Sequence, residues 1–287
     1  MMNFWQEINH TISTITGRPF AGKPQGSRGG GCIHENQILS DGERQFFIKI
    51  NRESELDLFV TEALGLQSLG AVKAITVPQV LGWGVVGEQS YLILEFLTLT
   101  QRGNWHRMGQ QLAQLHRQSA GHQFGWERDN YIGATPQKND WHTDWADFFC
   151  TCRLGYQLQL ARRRGGHFAQ TDQLLTRVHQ ILSSISVSPV LVHGDLWSGN
   201  AAFIHTGEPV IFDPAVYYGH REVDLAMSEL FGGFPPEFYQ GYQSEWPLEP
   251  GYTQRKTVYN LYHILNHFNL FGGSYWHQAE RMMISLL

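Results

Sequence analysis

The sequence predicts an α+β chain of two lobes, and three observations point there. Short strand-like runs dominate the first hundred residues. Helical spacing of apolar residues dominates the remainder. One nearly all-apolar strand, Tyr91-Leu92-Ile93-Leu94-Glu95-Phe96-Leu97, stands where the first pattern gives way to the second. Such segregation expects an antiparallel sheet with one main helix in residues 1–97, and a larger, mostly helical lobe in residues 98–287. The hinge falls at about 94–99, and a ligand site is expected in the cleft between the lobes.

Residues 3–16 read as a short helix. Gly17-Arg18-Pro19-Phe20-Ala21-Gly22-Lys23-Pro24 matches G-x-x-x-x-G-K but is rejected as a Walker loop. That loop needs Ser or Thr after the lysine and then a helix, and Pro24 supplies neither a hydroxyl nor a mid-helix donor. A second glycine run, Gly29-Gly30-Gly31-Cys32, leads into Gln37-Ile38-Leu39, a turn at Ser40-Asp41-Gly42-Glu43, and Gln45-Phe46-Phe47-Ile48-Lys49-Ile50. This is a hairpin behind a loop whose small residues let backbone N–H groups approach a phosphate. Three glycines alone more often mean a flexible loop. Lys49, at the end of the paired strand, gives the phosphate reading its weight.

From Arg52 to Leu69 the residues Leu56, Phe59, Val60, Ala63, Leu64 and Leu66 recur at helical spacing, with Glu62 beside the apolar stripe. Glu62 is preferred to Glu53 and Glu55 as a partner for Lys49 because it sits deeper in the helix. Val77–Gly84 reads as strand and turn. The strand ending at Leu94, Glu95 and Phe96 offers backbone groups for an adenine edge. Beyond it, Asn104 can cap a helix carrying Trp105, Met108, Leu112 and Leu115. Gly121–Lys138 reads as a loop. Helices are expected from Asp144 to about Arg163, over Thr171–Ile185 and over Glu222–Phe231, where Gly232-Gly233-Phe234-Pro235-Pro236 stops the last of them. Two more close the chain, near Gly251–Asn269 and Gln278–Leu287.

Composition narrows the function. A formal net charge of −5 leaves no basic surface, so nucleic acid is not an expected partner. No apolar run approaches ~18 residues, and the N-terminus lacks a basic region followed by an apolar one, so neither a membrane span nor a signal peptide is expected. Cys32, Cys150 and Cys152 are too few for a disulfide framework and have no paired C-x-x-C spacing. The chain reads as cytoplasmic and reduced, a monomer or a dimer.

The chemistry concentrates in Leu191-Val192-His193-Gly194-Asp195-Leu196-Trp197-Ser198-Gly199-Asn200. Two apolar residues open it as a buried strand would, and then it turns polar. Asp195 precedes Asn200 by five residues, and Asp213 follows at the end of Pro209-Val210-Ile211-Phe212. Asp and Asn in glycine loops are usually turn formers. The order acid, amide, strand-borne acid is nevertheless the order of kinase-like phosphotransferases. There one carboxylate accepts the proton of the attacking hydroxyl, while the amide and second carboxylate hold Mg2+ on ATP phosphates.

On these residues the chain resembles the fructosamine kinase (ketosamine-3-kinase) family, relatives of the aminoglycoside phosphotransferases and protein kinases. The match rests on His193-Gly194-Asp195-Leu196-Trp197-Ser198-Gly199-Asn200, on Phe212-Asp213-Pro214-Ala215, and on Tyr218-Gly219-His220, Phe231-Gly232-Gly233-Phe234 and Gly31-Cys32-Ile33-His34-Glu35. The resemblance implies a protein-kinase-like fold and transfer of phosphate from ATP to the 3-hydroxyl of ketosamines, free or on glycated proteins.

Residue by residue it implies Asp195 as base, Asn200 and Asp213 on Mg2+, and Lys49 on the phosphates with Glu62 orienting it. Leu94, Glu95 and Phe96 become the hinge, and Gly29, Gly30, Gly31 and Cys32 the phosphate loop. Asp224 braces the catalytic loop or is a plain helix-surface Asp. His193 is read as structural, and Trp197 as stacking on the sugar or as core. Asp-Pro-Ala in place of Asp-Phe-Gly implies no activation-loop flip. Two other readings stand beside this one: a kinase for an amino alcohol or aminoglycoside, and a non-catalytic nucleotide-binding regulator. Redox control at Cys32, a thiol among glycines beside an expected anion site, is a further expectation.

Overall fold

The computed structural model describes residues 3–27 and 35–287. Helix α1 (Phe4–Thr16) starts at Asn3, whose side chain accepts from the Gln6 N–H at 2.9 Å while the Gln6 side chain accepts from the Asn3 N–H at 2.8 Å. This reciprocal cap satisfies two otherwise orphaned donors. The G-x-x-x-x-G-K stretch continues as a helix end and then a strand: Gly17 ends α1 at φ +67°, and Lys23 and Pro24 begin β1.

The small lobe holds β1 (Lys23–Ser27), β2 (Glu35–Ser40), β3 (Gln45–Arg52), α2 (Leu56–Val72), β4 (Val80–Val86) and β5 (Gln89–Glu95). Its strands form one antiparallel sheet in the order β1-β2-β3-β5-β4. Ile8 and Ile12 of α1 pack with Leu39, Ile48, Ile50, Tyr91 and Ile93. On α2, Phe59, Ala63 and Leu66 pack with Leu92 and Leu94. Side chains alternate along a strand, so Ile48 and Ile50 on the α1 face put Lys49 on the α2 face, toward Glu62.

The chain then enters β6 (Leu99–Thr100), α3 (Trp105–Gln118), β7 (Asn130–Ile132), β8 (Thr135–Gln137), α4 (Trp145–Phe148), α5 (Tyr156–Arg163) and α6 (Thr171–Ser183). Strands β9 (Val190–Val192), β10 (Ala201–Ile204), β11 (Pro209–Ile211) and β12 (Tyr217–Gly219) follow. Helices α7 (Glu222–Leu230), α8 (Pro236–Glu245), α9 (Tyr252–Phe271) and α10 (Tyr275–Leu286) close the chain. A single large core joins α3, α4, α6, α7 and α9. Strand β10 pairs with both β11 and β6, which ties the hinge to the strands that frame Asn200 and Asp213.

Three features differ from the sequence reading. Gly121–Lys138 contains the β7–β8 hairpin, whose three-residue strands are too short to show a period. The helix expected from Asp144 to Arg163 is interrupted by a π-helical stretch, Phe149–Gly155. The Pro235-Pro236 stop is also a start, because Pro236 is the first residue of α8, where a missing N–H costs nothing. Gly109 and Gly241 let α3 and α8 touch backbone to backbone. A Cβ at Gly109 would come within 1.9 Å of the Phe238 carbonyl oxygen.

Candidate active site

Lys49 is buried on β3, and its Nζ donates to Glu62 Oε1 at 2.7 Å and to Asp213 Oδ1 at 2.6 Å. Burial disfavours its charge, but the carboxylates of Asp213 and Glu62 outweigh that and raise its pKa. Burial, reinforced by Asp213, raises that of Glu62 against the pull of Lys49. One ammonium is thus shared by two carboxylates, one from each lobe.

The loop after β9 is held from below. Asp224, on α7, is wholly buried and accepts the N–H groups of His193 at 2.7 Å and Gly194 at 2.8 Å. His116 Nε2 lies 3.1 Å from the same carboxylate, and His116 Nδ1 lies 2.9 Å from the Tyr242 hydroxyl. Burial works against the Asp224 charge, but these donors hold its pKa below the usual value. The His193 ring bridges the two loops. Its Nε2 sits 3.0 Å from the Phe212 carbonyl oxygen, which can only accept, so Nε2 carries the proton and Nδ1 accepts the Asp195 N–H at 3.2 Å. Burial lowers the pKa of this imidazole against the pull of Asp224. Gly194, at φ +81°, has no room for a Cβ, which would lie 2.0 Å from the Ala215 carbonyl oxygen.

Asp195, Asn200 and Asp213 come together above this support. Asn200 Nδ2 donates to the Asp195 backbone carbonyl at 2.9 Å, to Asp195 Oδ2 at 3.2 Å and to the Asp213 carbonyl at 3.4 Å. Burial, and then the charge of Asp213, pushes the Asp195 pKa up to about 7. Asp213 adopts φ +56°, a left-handed conformation that a non-glycine residue holds only when its surroundings impose it.

A cavity of about 750 Å³ is lined by Asp213 but not by Asp195 or Asn200, which reach it only through their contacts with Asp213 and with each other. Lys49 and Asp213 stand at one side and Leu94, Glu95 and Phe96 at another, with Gln25 and Gly26 at the end of β1. Gly29, Gly30, Gly31 and Cys32 lie outside the described residues. Trp197 is 37% exposed, covers Gly199, and meets the ring of Phe231 edge-on at 6.3 Å. A carboxylate pair and an amide joined by hydrogen bonds, with a buried lysine on the cavity wall, are the residue types that phosphoryl transfer uses.

A model of the fructosamine kinase family matches residues 4–287. The chain belongs to the fructosamine kinase family. It is similar to a Synechocystis protein named a probable ketoamine kinase, 55% identical over 97% of this chain and 95% of that one. It is also similar to a Haemophilus somnus crystal structure whose protein carries fructosamine-3-kinase as an inferred name. That likeness has a TM-score of 0.92 and 32% identity, over 98% of this chain and 96% of the other. A thermostable aminoglycoside phosphotransferase, 16% identical over 97% of each chain at a TM-score of 0.58, shares the fold.

Seen as a fructosamine kinase family member, the chain carries site residues that its motifs did not expose. Pro78, Leu97, Thr98 and Phe212 line the cavity. His116 reaches Asp224 across 108 positions. No local spacing marks either set. Only the helical periodicity of α3, which turns His116 inward with Leu112 and Leu115, hints at the histidine.

Proposed function

We propose that the chain transfers the γ-phosphoryl group of ATP to the 3-hydroxyl of a ketosamine, free or attached to a protein. The observation that carries this is the meeting of Lys49, held by Glu62, with Asp213 on the cavity wall, and the link from Asp213 through the Asn200 amide to Asp195. Lys49 is placed to bind the α- and β-phosphates. Glu62 keeps the ammonium from following Asp213 alone. Adenine fits against Glu95 and Phe96. The Glu95 N–H already donates to the Gln79 carbonyl at 2.8 Å, so adenine recognition would fall to neighbouring backbone groups.

Asp213 and Asn200 fit a hard cation. They offer oxygen donors, and the Asp213 carboxylate adds to burial in raising the Asp195 pKa, a charge that a cation would offset. Bound Mg2+ would supply charge neutralisation on the phosphates. Asp195 would orient the acceptor hydroxyl and take its proton as that oxygen bonds to phosphorus and ADP leaves. Trp197 would stack on the sugar.

The product explains the use. Enolisation of a 3-phosphorylated ketosamine toward C1–C2 makes the C3 phosphate allylic. Phosphate leaves, and hydrolysis of the resulting imine frees the amine.

The test incubates the protein with ATP, Mg2+ and fructoselysine or ribuloselysine, following ADP and the position of the new phosphate. Phosphate at C3 is the expected result. Turnover of an amino alcohol or aminoglycoside with none on any ketosamine overturns the substrate. Nucleotide binding without transfer to any alcohol overturns the enzyme.

A further inference from the structure

The β7–β8 hairpin and its flanks contribute nothing to the cavity, yet they grip two parts of the site at once. On one side, Asn130 Nδ2 donates to the Val216 carbonyl at 2.8 Å, and Gln137 Nε2 donates to the Ala215 carbonyl at 3.1 Å. These carbonyls lie two and three residues beyond Asp213. Both amides are themselves locked. Asn130 Oδ1 accepts from Gln137 and from Asn139, each at 2.8 Å, and Gln137 Oε1 accepts from the Tyr262 hydroxyl at 2.7 Å. Arg153, fully buried on the π-helical stretch, donates to Asn139 at 2.8 Å and lies 3.9 Å over the Tyr217 ring.

On the other side, the same hairpin holds α2. Asp57, in the first turn of that helix, accepts from Arg128 and, at 3.2 Å, from the Tyr131 hydroxyl. Glu62 lies on the same helix. One turn further, Gly65 rests on the segment after Asp213. A Cβ there would stand 3.3 Å from Val216 and 3.4 Å from Pro214. Hairpin, helix and the Ala215–Val216 strand entry are therefore joined by direct contacts.

We propose that the 128–139 hairpin is a positioning element for phosphoryl transfer. It holds Asp213 in its left-handed conformation and Glu62 on Lys49. Asn130 and Gln137 act on Asp213 through the carbonyls of Val216 and Ala215. Arg128 and Tyr131 act on Glu62 through Asp57. The physical basis is the cost of moving either part: Val216 and Ala215 cannot shift without leaving buried amide donors unpaired. The inference rests on the phosphoryl-transfer reading above and is tested without an acceptor substrate.

The experiment measures ADP binding by calorimetry with Mg2+ and with EDTA, and hydrogen exchange over residues 56–66 and 213–217. Gln137→Met is expected to weaken ADP binding about tenfold with Mg2+, to change it less than twofold in EDTA, and to speed exchange at 213–217. Arg128→Ala and Asp57→Ala are expected to speed exchange in α2 and to weaken Mg2+-dependent binding about two- to fivefold, the range open to a half-exposed ion pair. The two losses should not add, and Asp57→Arg with Arg128→Asp should recover most of the binding.

Wild-type values of binding and exchange in all three variants, with only the melting temperature lowered, overturn the proposal. Should Gln137→Met fail to fold, the exposed Asp57–Arg128 arm and its charge swap decide. Absence of ADP binding by the unaltered protein sinks the phosphotransfer reading instead. The exchange data then still show whether the hairpin holds the two segments.

Discussion

Lys49 and Asp213 meet at 2.6 Å although 164 positions separate them in the chain. Their contact joins the sheet of the small lobe to the strand end of the large one, and it places the lysine between two acids. A change at either residue therefore acts on both lobes.

Lys49→Met removes the ammonium that joins Glu62 to Asp213. We expect kcat/KM to fall by about two to three orders of magnitude, with a raised KM for ATP, since a preorganised phosphate clamp is lost. Steady-state kinetics checks this. A change below tenfold would remove Lys49 from the phosphate site.

Asp195→Asn keeps the shape of the side chain and removes the proposed base. ADP binding should stay within a few-fold while turnover falls by about 10²- to 10⁴-fold. The pH profile of the unaltered protein follows from the same carboxyl, pushed up to about 7 by burial and Asp213. Activity should drop as pH falls through that value, because the protonated acid cannot accept a proton. Raising Mg2+ should move the inflection to lower pH by offsetting the charge of Asp213.

Trp197→Ala should raise the KM for the ketosamine by up to about tenfold and leave that for ATP unchanged, in line with ~0.5–1.5 kcal/mol for a stacked ring. The side chain is 37% exposed, so the melting temperature should move little. A large fall in melting temperature with an unchanged KM would make it a packing residue.

Asp224→Ala should destabilise the fold by about 3–5 kcal/mol, the usual cost of removing one partner from a buried charged network. It strands the N–H groups of His193 and Gly194 together with His116. Denaturant unfolding measures the loss. A change under 1 kcal/mol would contradict the bracing geometry.

The buried histidines predict acid lability. Burial, with help from His267 and Arg153 and against Asp224, pushes His263 down to about 3. In the unfolded chain it titrates near 6.5. Between those values the unfolded state holds a proton that the folded state refuses, so stability rises with pH and is complete above about 6.5. The slope from this residue is about 1.4 kcal/mol per pH unit. Asp195 and Glu62, whose pKa values are raised, act in the opposite sense between about pH 4 and 7. The comparison of His263→Gln with the unaltered protein isolates the histidine: between pH 4 and 6 the variant's stability should rise less, or fall more, with pH, by about 1.4 kcal/mol per pH unit. Parallel curves would refute this.

Much of this protein is set by local chemistry and so is legible without coordinates. Strand alternation, helical spacing and glycine turns depend on neighbours a few positions away. They mark the α+β division, the first helix, Lys49 on a strand, Glu62 on a helix, and the run from His193 to Asn200. The short β7–β8 strands and the π-helical stretch escaped because neither has a long enough period to be recognised. What folding alone decided is which distant groups share one environment. The ammonium of Lys49 stands between acids from two lobes, Asp224 is buried under the catalytic loop with His116, and Asn130 and Gln137 reach the carbonyls beyond Asp213. Hydrogen bonds and charge interactions act through space over a few ångströms. Chain order carries no record of them once the partners are a hundred residues apart.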